Sequence, residues 1–470
     1  MVSVCWYRSE QLKMLSCRSL AGVCLLSCLA AFTATAGTVS PFSLDLSALG
    51  GSAAFHGTTV ASGLDFPYGM ALTPNGSILW GKNTPLTIYG IEAPVTSALM
   101  VLARNADGSF AAPQQIAGNI NGPITNIRGV NGLTVVDAGA ASGRTMTFYD
   151  QNFNQTGSVA FSYATQDWWH STGMSAIAQQ PDGSYKVFFI VGSEADGTKT
   201  TDKVTTSGLF QTTLNADSVY MVTLSNSGGT LQAIQPPVQV ATGLRNPYGL
   251  VVDPGGNLLI GENGQDGTHA NGNELSADGI DFISAARLGT SITDFGFPDS
   301  YTNFFSCQRT SGNPNAALPL AAFCAITDSY GLDRSEGLAG MAYVNAGAMP
   351  FAGAQGGLLV GFHGAKNATG SANYENAFLY YDFASGIYTP IVHTGTSGVG
   401  HLDTVLVDGS NFFVADMATL GVVDGVGGEN SGTITEFSFA AAPEPGTFAL
   451  SFPLLALLAV IRGRIARGRT

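Results

Sequence analysis

Short apolar stretches separated by glycine-rich polar turns recur along the middle of the chain. Gly63 to Gly81 reads GLDFPYGMALTPNGSILWG and Gly243 to Gly261 reads GLRNPYGLVVDPGGNLLIG, and the two align without a gap. In each, a Pro-Tyr-Gly step leads into an apolar strand, a Pro-x-Gly turn follows, and a second apolar strand ends on glycine. Proline presets φ for the turn and glycine supplies the positive φ that follows, so the pattern predicts a β-hairpin. Looser copies run from Gly173 to Gly192, from Gly340 to Gly361 across a longer loop, and from Thr404 to Asp416, with a sixth around Val130 to Tyr149. Helical periodicity is almost absent from this body, which argues against an α/β enzyme. Hairpins recurring at this spacing predict an all-β fold, a six-bladed β-propeller, with a β-solenoid or β-sandwich as the alternative.

The two ends follow a different pattern. Arg8, Lys13 and Arg18 precede an apolar run from Leu20 to Phe32, and Ala34-Thr35-Ala36 follows. A basic region, a short apolar run and a small-x-small site predict a secretory signal peptide over residues 1–36. Met14 is an alternative start, and Leu26-Ser27-Cys28 a poor lipoprotein alternative. At the other end, Pro443-Glu444-Pro445 is followed by an apolar stretch from Thr447 to Ile461 and then Arg462, Arg464, Arg467 and Arg469. Apolar residues capped by positive charge form a stop-transfer arrangement, predicting a short C-terminal transmembrane helix. The three parts in order resemble the PEP-CTERM sorting tail, which implies that an exosortase, a membrane protease, processes residues 441–470. A plain membrane anchor is the alternative. Either way the chain is expected to be exported to the periplasm, cell surface or extracellular space, and tethered to the membrane at least transiently.

Composition narrows what the body, residues 37–440, does. Only 11% of residues are charged, 60 are glycine, and the net charge is −14. Removing the basic ends leaves the body more acidic still, so it has no electrostatic affinity for nucleic acid. Of the 6 cysteines, only Cys307 and Cys324 lie outside the signal region. Two cysteines in an exported domain predict one disulfide. No Cys-x-x-Cys-His is present, so no attached c-type haem is implied.

Gly243 to Tyr301 carries the most chemistry. Arg245-Asn246-Pro247 opens the hairpin, Glu262-Asn263-Gly264 closes it, and a polar loop and Phe295-Gly296-Phe297-Pro298 follow. This order resembles the glucose/sorbosone dehydrogenase family of six-bladed propellers, many of which use pyrroloquinoline quinone (PQQ). Phe362-His363-Gly364 and His170-Ser171-Thr172-Gly173, ahead of the Pro181-Asp182-Gly183 turn, extend the resemblance over roughly His170 to Asp416. It implies His170 as the base that takes a hydroxyl proton from an aldose, a role suited to an imidazole near neutral pH. The sequence neighbours of His170, Asp167, Trp168 and Trp169, are then expected to orient that ring and stack a sugar. It further implies Arg245 and Asn246 as quinone contacts, with Lys366 as an additional cation. Gly264 and Gln265 match the positions whose backbone carbonyls meet calcium, and the loop beyond them carries Asp266, Asn271, Asn273, Glu274 and Asp278, oxygen donors of the kind calcium takes. No arginine occurs from Ser335 to Ile461, which sets this chain apart from quinone-binding members with a basic late blade.

Two functions of different classes follow. One is an exported quinone-dependent sugar or aldehyde dehydrogenase with PQQ and Ca2+ as cofactors. The other is a non-catalytic surface or matrix-binding propeller sorted by an exosortase. A lactonase-like hydrolase would need a central calcium cage whose spacing the sequence does not show.

Overall fold

The computed structural model describes residues 44–46, 49, 55–84, 96–140, 143–164, 170, 173–195, 197–265, 276–324, 326–328, 331–333, 337–363, 378–392, 399–417 and 430–439. The expected signal peptide, the sorting tail, Lys366, Asp167 to Trp169 and the Asp266 to Glu274 loop lie outside these residues. Among the described residues there is no α-helix, and no helix is long and apolar enough to cross a membrane.

Six antiparallel sheets form the blades of a propeller. Their inner strands, in chain order, are Tyr68–Leu72, Ile124–Val130, Ser175–Gln179, Asn246–Val252, Leu338–Val344 and Thr404–Asp408. Each neighbours the next, and the last returns to the first, so the ring closes. The sixth blade is completed by the first strand of the chain: Phe55–Leu64 pairs along Gly432–Phe439. Pairing of strands from the two ends of the body within one sheet closes the ring. The second blade is widened by Lys203–Gly208 and Thr213–Asn215, and the third by Thr293–Asp294, which adds parallel to Val238–Thr242.

Local chemistry explains why the hairpins form. In the turns at Thr73–Ser77, Gln180–Ser184 and Asp253–Asn257, the glycine N–H donates to the first residue's carbonyl. The first residue's N–H donates to the last residue's carbonyl. Gly256 has φ +77°, a left-handed conformation that suits glycine. The copy expected around Val130 to Tyr149 is offset: the second blade's inner strand starts earlier, at Ile124, and Val130 is its last residue. Its turn is Asn131-Gly132, both left-handed at φ 45° and 82°. That is a two-residue hairpin turn with no Pro-x-Gly signature, so the later strands carried the visible pattern.

The repeat glycines Gly81 and Gly261, inside the second strands Ile78–Thr84 and Leu258–Asn263, have a packing reason. A Cβ on Gly81 would lie 2.7 Å from Ile124 Cγ2 of the next blade, and one on Gly261 would meet the Leu338 side chain. Val219, Met221, Leu250, Leu258 and Ile260, from the third and fourth blades, share one core. Truncating such a side chain costs about 2–5 kcal/mol. Cys307 and Cys324 form the expected disulfide, with Cα atoms 5.6 Å apart. It ties the long excursion after Gly279–Ile283 back to the edge of the fourth blade.

Candidate functional site at one end of the propeller axis

Antiparallel pairing fixes which end carries the site. Each inner strand begins beside the end of its second strand: Asn246 pairs with Asn263, Tyr68 with Gly81, Leu338 with Phe362 and Thr404 with Ala415. His170, Arg245, His363, His401 and Asp403 sit just before inner strands or just after second strands, so the closed ring gathers them at one end of the axis.

His170 and Arg245 come together there. The His170 N–H donates to the Ser193 carbonyl at 3.1 Å, and the Ser193 N–H donates to the Arg245 carbonyl at 2.7 Å. The His170 ring places Nδ1 3.2 Å from the same carbonyl and 2.9 Å from Ser193 Oγ, whose own proton goes to the Ala195 carbonyl. Both partners accept, so Nδ1 holds the ring proton and Nε2 is the basic nitrogen. Burial, and then the Arg245 charge, hold this histidine well below its usual pKa, so it is neutral at pH 7.

Arg245 is anchored by its backbone. Glu262 Oε1 accepts the N–H of Arg245 at 2.5 Å and of Asn246 at 3.2 Å, and Arg245 Nη1 donates to the Asn263 carbonyl at 3.4 Å. Arg245 lines a cleft with Glu262, Asn263, Gln265, Asp281 and Arg309. Burial, reinforced by Asp281, raises the Glu262 pKa well above the usual range, and burial pushes Asp281 up to about 7. Arg309 Nη2 is committed to the Phe295 and Ala317 carbonyls.

The remaining expected residues divide. Gly264 and Gln265 lie on the same cleft, but the Gln265 carbonyl accepts the Ser276 N–H at 3.0 Å. Asp278, grouped by sequence with the cation loop, serves as a clamp. Its Oδ1 accepts the Gly264 N–H at 2.8 Å and its Oδ2 the Leu338 N–H at 2.7 Å, joining the fourth blade to the fifth. Glu262 Oε2 and Asn263 Oδ1 are buried with no hydrogen-bond partner among the described residues.

Sequence reasoning missed a second polar group at the same end. Tyr68 and Tyr248 place their hydroxyls 3.1 Å apart. Burial, each other's presence and the Asp403 carboxylate raise the Tyr68 pKa well above the usual value. His363 and His401 stack with ring centroids 4.3 Å apart, and His363 Nδ1 pairs with Asp403 Oδ1. Burial opposes a charge on His363, but the adjacent Asp403 outweighs it and raises the pKa. Burial, then His363, lowers His401 to about 4. Nearby, Asp137 Oδ2 accepts from Asn126 at 2.8 Å and Ser175 at 2.6 Å, linking the second and third blades. Repeat position was the available signal. Counting back equally from the turn aspartates Asp253 and Asp408 puts Asp403 in the place of Tyr248, and counting on from Gly261 and Gly361 puts His363 in the place of Asn263.

Comparison with solved structures finds the holo form of the PQQ domain of a pyranose dehydrogenase from Coprinopsis cinerea, with a TM-score of 0.50 at 15% identity over 86% of this chain and 99% of that one. The PQQ-bound aldose sugar dehydrogenase from Streptomyces coelicolor gives 0.48 at 16% identity over 82% of this chain and 99% of that one. No family model matches the chain, and no curated protein matches it. At 15% identity the likeness to the pyranose dehydrogenase domain is one of fold alone.

Proposed function

We propose that the protein is an exported quinone-dependent sugar or aldehyde dehydrogenase whose reaction takes place at the His170–Arg245 end of the axis. The observation that supports this most is the junction of those two residues through Ser193, from segments far apart in sequence. His170 enters the reaction neutral, with Nε2 as the proton acceptor, and Ser193 fixes the ring by holding Nδ1. That nitrogen takes the proton of the hydroxyl being oxidised.

The cleft chemistry suits a calcium ion. Glu262 Oε2 and Asn263 Oδ1 are buried oxygens in want of a partner, beside Gly264 and Gln265, and oxygen donors are what calcium takes. For the quinone, the cleft offers the Arg245 guanidinium, suited to a carboxylate or carbonyl oxygen, with Asn246 next to it. When bound, the quinone supplies a two-electron acceptor. Glu262 contributes by holding the Arg245 and Asn246 backbone in register.

The purified protein, supplied with calcium and PQQ, is expected to reduce an electron-accepting dye in the presence of aldoses. Absence of turnover across an aldose and aldehyde panel, with quinone bound, would favour the non-catalytic surface-binding propeller instead.

A further inference from the structure

The His363, His401 and Asp403 group belongs to the fifth and sixth blades and takes no part in the reaction proposed above. The Nδ1 of His401 lies against the His363 backbone carbonyl. A carbonyl only accepts, so Nδ1 carries the proton and Nε2 presents a bare lone pair. That Nε2 is buried and has no hydrogen-bond partner among the described residues. Asp403 has a fully buried side chain, at 0% exposure, with Oδ1 on His363 and Oδ2 without a partner. One donor atom from each of the three residues lies within 4.8 Å of the others.

A histidine–aspartate ion pair explains only part of this. It satisfies Asp403 Oδ1 and leaves both Asp403 Oδ2 and His401 Nε2 buried with lone pairs alone. A cation answers both at once. The supporting bonds are those typical of metal-binding histidines, one ring nitrogen tied to a carbonyl or carboxylate so that the other is presented. The backbone is held as well. Asp416 accepts the N–H groups of Gly400 at 2.7 Å and His401 at 3.0 Å, and the His363 N–H donates to the Gly337 carbonyl at 2.7 Å.

We propose that His363, His401 and Asp403 form a binding site for a divalent first-row transition ion such as zinc. Two imidazoles and one carboxylate select such an ion over calcium or magnesium, which take oxygen. Three protein ligands leave a coordination position open to water or a small ligand. His363 retains 19% side-chain exposure, so the group is not sealed from solvent. It shares no residue with Gly264 and Gln265, and it stands whether or not the cleft oxidises a sugar.

The test uses the full-length, tag-free protein stripped with a chelator and kept in excess calcium. Zinc is titrated by calorimetry, and cobalt(II) by its visible absorption. The expected result is one equivalent of zinc per chain at micromolar or tighter affinity, with cobalt bands of a low-coordinate nitrogen and oxygen site. Asp403→Asn and His401→Gln should each weaken zinc binding by at least about 100-fold. Folding of each variant is read by thermal unfolding. Failure of the wild-type protein to bind either ion at micromolar concentration overturns the proposal, as does unchanged affinity in both folded variants. If neither variant folds, the wild-type cobalt spectrum decides, and bands of a six-coordinate aquo ion would refute the site.

Discussion

The cleft of the fourth blade and the histidine group of the fifth and sixth occupy equivalent places in the repeat, yet they hold opposite chemistry. At the inner-strand start, the fourth blade presents Arg245 and Asn246 and the sixth presents His401 and Asp403. At the second-strand end, the fourth presents Glu262 and Asn263 and the fifth presents His363. Both regions use a carboxylate to grip backbone N–H groups: Glu262 holds Arg245 and Asn246, and Asp416 holds Gly400 and His401. The scaffold is therefore shared and the unpaired donors differ. Oxygens remain in the cleft, while an imidazole nitrogen and a carboxylate oxygen remain at the sixth blade. One folding solution positions side chains at the axis, and the residue types decide which ligand each position suits.

Separate roles for the two regions make the largest predicted effect selective. His170→Ala should lower aldose turnover about 100- to 10,000-fold, the range expected on losing a general base, while zinc affinity stays at its wild-type value. A parallel loss of zinc binding would merge the two regions into one site. Next in size, Asp278→Ala removes the acceptor of two N–H groups, Gly264 on the cleft and Leu338 on the fifth blade. It should cost about 2–3 kcal/mol in urea unfolding. A loss under about 0.5 kcal/mol would show that the clamp does not couple these blades.

Gly261→Ala probes the packing that brings the fifth blade against the fourth. Its Cβ would fall 3.0 Å from Met341 Sδ and 3.1 Å from Leu338 Cδ1, so overpacking should destabilise the fold by about 1–3 kcal/mol. Gly409→Ala has open space around it and tests only backbone strain at φ +61°, so its cost should be smaller. The smallest effect concerns pH. The folded pKa of His170 is depressed below its ordinary 6.5. Its contribution to stability is therefore present above that value and lost as pH falls toward the folded pKa. The acid limb of kcat/KM should likewise lie below pH 6.5, and a limb at or above that value would show that His170 is not the titrating base.

Most of the ring was legible because turn chemistry is local. The proline and glycine of Thr73–Ser77, Gln180–Ser184 and Asp253–Asn257 announce their hairpins in the sequence itself. Asn131-Gly132 used a different turn, which shifted the second blade's inner strand out of register with the expectation. The strand Phe55–Leu64 was not foreseen, because its partner Gly432–Phe439 lies at the other end of the body. The candidate site was legible in part for the same reason. Arg245-Asn246 stands out as a dipeptide, but the clamp role of Asp278 depends on Leu338, a residue of the next blade. Phe362-His363-Gly364 stood out as a strand end, but its grouping with His401 and Asp403 of the sixth blade depends on ring closure, which no local motif announces.

The central claim is that Arg245 and its neighbours at the mouth of the axis hold a quinone for oxidation by way of His170. Titrating PQQ into the wild-type protein and the Arg245→Ala variant, with calcium present and the quinone absorbance followed, tests it most directly. A saturable spectral change at micromolar quinone in the wild type, weakened at least about tenfold in the variant, is the predicted result. No change in the wild type, or the same curve for both proteins, would contradict it.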